Sequence, residues 1–161
     1  MKVSTVKKDP IIIAHRGLRE YAPENTLPAF AAAVELGLSF ELDIYQTSDE
    51  GLIVIHDEAV DRTTNGTGKV TEMSLADIRD LDAGRWFSQS FYGLGVPSLA
   101  EVFEMIIERQ RTSINILLDV KTISPGIEQK IVATAEKYNV SSQIMVLRQT
   151  TDSSRRFKEA N

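Results

Sequence analysis

Cysteine is absent from this 161-residue sequence, which removes a disulfide framework, a thiolate zinc site and a cysteine nucleophile together. An excess of positive charge is missing too: 18 Lys and Arg stand against 23 Asp and Glu, a formal net charge of -5. Affinity for a polyanion comes mainly from basic side chains that neutralise phosphates, so nucleic acid is excluded as the expected partner. Any anionic substrate must be met by local positive charge or by a metal. No apolar run approaches the ~20 residues that cross a bilayer, and residues 1–10 are too polar for a secretory leader. The expectation is a soluble, cytoplasmic protein without a membrane segment.

The 42% hydrophobic and 25% charged residues that remain are the composition of one folded domain. Ile11 to Ala14 is a short β-branched run ended by Arg16-Gly17, and reads as a buried strand feeding a loop. Pro23 and Asn25-Thr26 signal a helix start, and Leu27, Phe30, Ala31, Val34 and Leu38 recur at helical spacing. Phe40 to Gln46 and Leu52 to Ile55 are strands, joined by a turn around Asp49 to Gly51 that is too short for a crossover helix. A hairpin is therefore expected. If its turn is centred between Asp49 and Glu50, Asp43 faces His56.

Residues 57–97 are polar and glycine-rich and read as an inserted loop region with one helix near Ser74 to Leu81. A helix capped by Ser98, a strand over Ile114 to Val120, a helix over Pro125 to Tyr138, a strand over Ile144 to Leu147 and a polar helix to Asn161 follow. Such alternation predicts an α/β fold with a largely parallel sheet.

The two histidines, His15 and His56, both fall at the carboxyl ends of predicted strands, where α/β folds place their sites. Glu41 and Asp43, two apart on a strand, point to one face. Paired carboxylates repel unless a cation or proton sits between them, and oxygen donors suit a hard divalent ion, Mg²⁺ or Ca²⁺. Asp119 is placed to add a third oxygen. Arg16 and Lys121 put positive charge nearby, with pairing to Glu20 or Glu24 and to Asp119 as the plainer alternatives. Trp86, Phe87, Phe91 and Tyr92 gather rings within the insertion, to shape a pocket or to form a satellite core.

His15-Arg16-Gly17, Pro23-Glu24-Asn25-Thr26 with Ala29-Phe30, Glu41-Leu42-Asp43, His56-Asp57, Asp61-Arg62-Thr63-Thr64-Asn65-Gly66 and Val96-Pro97-Ser98-Leu99 together resemble the glycerophosphodiester phosphodiesterase family. The resemblance runs from Ile11 to Leu147. It implies a TIM-barrel-like (β/α)₈ fold with an insertion after the third strand, and metal-dependent hydrolysis of glycerophosphodiesters to glycerol phosphate and an alcohol. His15 and His56 are then the acid/base pair, Glu41, Asp43 and Asp119 the metal ligands, and Arg16 and Lys121 phosphate contacts.

Two departures accompany it. The family's fourth-strand motif is Glu-x-Lys, where this chain has Asp119-Val120-Lys121. A barrel of this class also takes roughly 250 residues, so the expectation is a barrel truncated after about five strand-helix units, prone to self-association through open sheet edges. Two other readings stay open: a non-catalytic barrel fragment, and a related two-histidine phospholipase that cleaves phosphatidylinositol or sphingomyelin.

Overall fold

The computed structural model describes residues 10–111, 113–122, 124–147 and 159. Apart from Glu159, which is helical, the polar helix expected toward Asn161 lies outside the described residues.

Helix α1 (Leu27–Glu35) begins after Thr26 with a proline in its first turn and buries Ala29, Phe30, Ala33 and Val34. It leads into β2 (Ser39–Gln46), whose alternation decides which side each residue serves. Phe40, Leu42 and Ile44 join the core cluster formed with helical residues, and the Phe40 ring stacks on Phe30 at 4.7 Å. Glu41 and Asp43 therefore point to the opposite face, yet they too are buried.

Strand β1 (Ile13–Ala14) pairs with β2 in parallel, and β4 (Ile116–Val120) pairs with β2 on its other side, followed by β5 (Ile144–Val146). Strand β3 (Leu52–Val54) joins β2 antiparallel, so the sheet has four parallel strands and one hairpin arm. Among the described residues the sheet is not closed. Helices α3 (Leu99–Glu108) and α4 (Ile127–Lys137) cover the apolar face. Ser98 and Glu101 form a reciprocal capping box that starts α3, and Leu99, Val102, Phe103 and Ile106 are its buried stripe. Burying each such side chain contributes about 1.5–3 kcal/mol.

Between β3 and α3, residues 57–97 contain the short helix α2 (Leu75–Arg79) and cover a second, smaller cluster that includes Ile53, Ile55, Val60, Val70 and Ile78. This satellite core is aliphatic. Phe87 meets both Trp86 and Phe91 edge-on, and Trp86 and Tyr92 are exposed.

Two expectations require correction. Ile11 and Ile12 are 58% and 66% exposed and precede the strand, which has only two residues; strand propensity does not supply a neighbour to pair with. The hairpin register is one residue off. Ile44 pairs with Val54, and the Ile55 N–H donates to the Asp43 carbonyl at 3.1 Å, so Asp43 faces Ile55 and not His56. The five-residue turn closes with the Thr47 N–H on the Gly51 carbonyl and Glu50 at φ 64°, which centres it on Asp49.

Candidate active site

Directly after β1 the chain reverses through Arg16 (φ 59°) and Gly17 (φ 76°). Glycine is required at the second position twice over: the left-handed conformation disfavours other residues, and a Cβ there would sit 2.7 Å from the Ala29 backbone carbon. The turn aims the Arg16 N–H at Glu41, whose Oε2 accepts it at 2.8 Å. The His15 Nε2 lies 3.9 Å from the same oxygen. The Arg16 side chain reaches Glu24 (Nη1 to Oε1, 3.0 Å) and approaches Asp43 (Nε to Oδ2, 3.4 Å).

Parallel pairing of β2 with β4 sets Asp43 directly beside Asp119. Each of Glu41, Asp43 and Asp119 offers one oxygen within 4.8 Å of the others. Glu41 and Asp43 are only 4% and 1% exposed. Burial, the Asp43 charge and the Asp119 charge together push the Glu41 carboxyl up to about 7, against the Arg16 N–H that favours its ionised form. Lys121 bridges the other two, 3.0 Å from Asp43 Oδ1 and 2.5 Å from Asp119 Oδ2. These two contacts hold its ammonium pKa above the ordinary value although burial opposes that. Three convergent carboxylates with one resisting ionisation fit a hard divalent cation, which would stabilise all three anions.

Asn25 completes this group. It adopts φ 56°, a conformation asparagine tolerates well, donates from Nδ2 to Asp43 Oδ2 at 2.7 Å and accepts the Asp43 N–H at 3.3 Å.

Strand β3 runs antiparallel, so its carboxyl end carries His56 back toward the middle of β2. His56 Nδ1 is 2.7 Å from Asp57 Oδ1. Arg62 donates from Nε to Asp57 Oδ2 at 2.5 Å and forks onto Glu24 through Nη1 (3.2 Å) and Nη2 (2.7 Å). Its hydrogen bond is the main reason the Asp57 carboxyl is held down at about 2. Burial opposes ionisation of Glu24, but Arg62 and Arg16 outweigh it and lower its pKa. His15 is lowered by burial first and then by Arg16 and Arg19, and it also feels Asp43 and His56.

Six of the expected residues thus meet around the carboxylates: His15, Arg16, Glu41, Asp43, Asp119 and Lys121. His56 joins through the chain Asp57, Arg62, Glu24, Arg16. The plainer pairings of Arg16 with Glu24 and Lys121 with Asp119 are both present as well. Sequence reasoning singled out none of Glu24, Asn25, Asp57 or Arg62 as site residues, although all four lie inside the motifs quoted above. The signal was their place in those motifs, before α1 for Glu24 and Asn25, next to His56 for Asp57 and six residues past it for Arg62.

Fold and site define a barrel-class α/β protein with an acidic cluster and two histidine arms around one parallel strand. The model of the glycerophosphoryl diester phosphodiesterase family matches residues 15–159, and the chain belongs to that family. It is 42% identical over 140 residues to the glycerophosphodiester phosphodiesterase of Caldanaerobacter subterraneus subsp. tengcongensis, covering 84% of this chain and 56% of that protein. The crystal structure of glycerophosphodiester phosphodiesterase from Agrobacterium tumefaciens strain C58 superposes with a TM-score of 0.82 at 33% identity, covering 94% of this chain and 63% of that one. A phosphodiesterase of Oleispira antarctica, solved with the product sn-glycerol-3-phosphate, superposes at 0.69 with 25% identity, covering 94% and 72%. The chain spans 56% and 47% of the length of the C. subterraneus and Bacillus subtilis glycerophosphodiester phosphodiesterases it matches.

Proposed function

We propose that this chain carries the reaction centre for metal-dependent hydrolysis of glycerophosphodiesters to glycerol phosphate and an alcohol. The observation that carries the reading is the buried Glu41, Asp43 and Asp119 group flanked by Arg16, Lys121 and His15. Membership of the family supports it, as does the product held by the Oleispira antarctica relative.

A phosphodiester anion repels an incoming oxygen nucleophile, so a site must neutralise charge, activate the nucleophile and protonate the leaving alkoxide. Glu41, Asp43 and Asp119 would hold a divalent cation, Mg²⁺ or Ca²⁺, which when bound supplies Lewis-acid polarisation of a phosphoryl oxygen. Arg16, held at Nη1 by Glu24 and beside Asp43 at Nε, offers Nη2, and Lys121 a point charge, to the remaining oxygens. His15 and His56 form the acid/base pair. His15 is pushed toward its neutral form, which suits proton abstraction from water, or from the glycerol hydroxyl next to the phosphate, whose attack would expel the alcohol and leave a cyclic phosphate that water then opens to glycerol phosphate. His56, with Nδ1 on the Asp57 carboxylate, presents Nε2 to the leaving oxygen and would protonate it from the ring that carries a proton on both nitrogens.

The test is turnover of glycerophosphocholine and glycerophosphoethanolamine by protein that is stripped with chelator and then resupplied with Mg²⁺ or Ca²⁺. Activity lost and regained is expected. No turnover of either compound by the resupplied protein refutes the proposal, and cleavage of intact phosphatidylinositol or sphingomyelin in their place would favour the phospholipase reading.

A further inference from the structure

We propose that Glu24 is a positioning residue that couples the two histidine arms, holding Arg16 behind His15 with one carboxylate and Arg62 against Asp57 behind His56 with the same group. The inference deepens the hydrolase reading and rests on it for its kinetic arm.

The geometry is specific. Glu24 Oε1 receives Arg16 Nη1 at 3.0 Å and Arg62 Nη2 at 2.7 Å, while Oε2 receives Arg62 Nη1 at 3.2 Å. Arg62 thus commits all three of its nitrogens, two to Glu24 and Nε to Asp57. A guanidinium is a rigid planar fork, so fixing two nitrogens on Glu24 fixes where the third points. That third contact orients the Asp57 carboxylate, whose other oxygen meets His56 Nδ1. An imidazole that donates from Nδ1 presents Nε2 as the working nitrogen. The Glu24 side chain is largely enclosed, at 11% exposure, whereas Arg62 is 46% exposed. The carboxylate is therefore the anchored member, and Arg62 is the lever that it holds. Residues 38 apart in sequence are linked by this one carboxylate, and both are on loops that the sheet alone does not orient against each other.

The experiment compares Glu24→Gln, Arg62→Ala, Arg62→Lys and the double variant Glu24→Gln/Arg62→Ala in the full chain. Imidazole ¹⁵N shifts of His56 report its tautomer without any turnover. In the neutral ring the Nδ1–H tautomer is expected to dominate in the parent, leaving Nε2 as the nitrogen that takes up and then delivers the proton, and this dominance is expected to be lost in Glu24→Gln and Arg62→Ala. In kinetics, Arg62→Ala is expected to lower kcat about tenfold to hundredfold with KM little changed, as loss of part of a general acid's contribution implies. Glu24→Gln should lower kcat similarly and also raise KM, because Arg16 is released. The double variant should be no slower in kcat than the worse single one. Arg62→Lys, which cannot fork, should not rescue. An unchanged tautomer in both single variants, or kcat losses that multiply in the double variant, overturns the proposal. A tautomer change in a chain that turns over no glycerophosphodiester supports the coupling and refutes only the hydrolase reading.

Discussion

Asp119 is one methylene shorter than the glutamate of the family's fourth-strand motif, and its carboxylate is held by Lys121 rather than reaching freely. Asp119→Glu is expected to preserve or raise cation affinity, and Asp119→Ala to lower it; calorimetry with Mg²⁺ or Ca²⁺ reads both, and equal losses would remove Asp119 from the ligand set. Replacing His15 or His56 by alanine should cost at least about a hundredfold in kcat while cation binding measured the same way changes little. The Asp57 carboxyl supplies a pH signature. Its folded-state pKa of about 2 lies below its ordinary 3.8, so its contribution to stability is present above pH 4 and is lost as pH falls from about 4 to about 2. Arg62→Ala removes the largest cause and leaves that of His56, so the stability gap between parent and variant, on the order of 1–2 kcal/mol after solvent screening, should narrow over that range. Denaturant unfolding at pH 6, 4 and 2.5 checks this. The acid/base and ligand candidates were legible because few residue types perform that chemistry and both histidines follow strands. Glu24 and Arg62 were not, because a pairing across 38 residues between two loops leaves no periodic trace.

At the scale of elements, helix starts were easiest to read, since a cap is a local chemical event: Ser98 with Glu101 is visible in four residues. The hairpin was visible for the same reason, but its register depended on a left-handed Glu50 that no hydrophobic pattern encodes. Helix ends show a related contrast. Helix α1 is followed by Gly37 at φ 69°, α4 by Asn139 at φ 54°, and α3 by Gln110 at φ 53°. Glycine and asparagine suit that conformation, while glutamine pays no less than any long side chain there. Gln110→Gly is therefore expected to stabilise the chain by about 0.5–1 kcal/mol, seen as a higher midpoint in thermal unfolding. A lower midpoint would mean that backbone strain at this site is offset by contacts of the side chain.

For the whole molecule, β1 and β5 each have one partner among the described residues, and Ile11, Ile12, Met145 and Leu147 present apolar surface beside them. Unpaired apolar strand edges recruit other chains. Sedimentation of the 161-residue protein should show association that grows with concentration, and a monomer across the measured range would contradict this. Among the described residues no helix is long and apolar enough to cross a membrane.

The pairing of Asp43 with Asp119 has a consequence in time as well as in space. These neighbours are separated by the hairpin, the whole of residues 57–97 and α3, so the acidic cluster exists only after a long stretch of chain has been closed into a loop. Contacts of such high separation are made slowly, and the docking of β4 onto β2 is expected to be among the last steps of folding. A cation that binds only the finished cluster would then leave the rate of refolding almost unchanged and slow the rate of unfolding. Its stabilising effect would be seen as longevity of the native state.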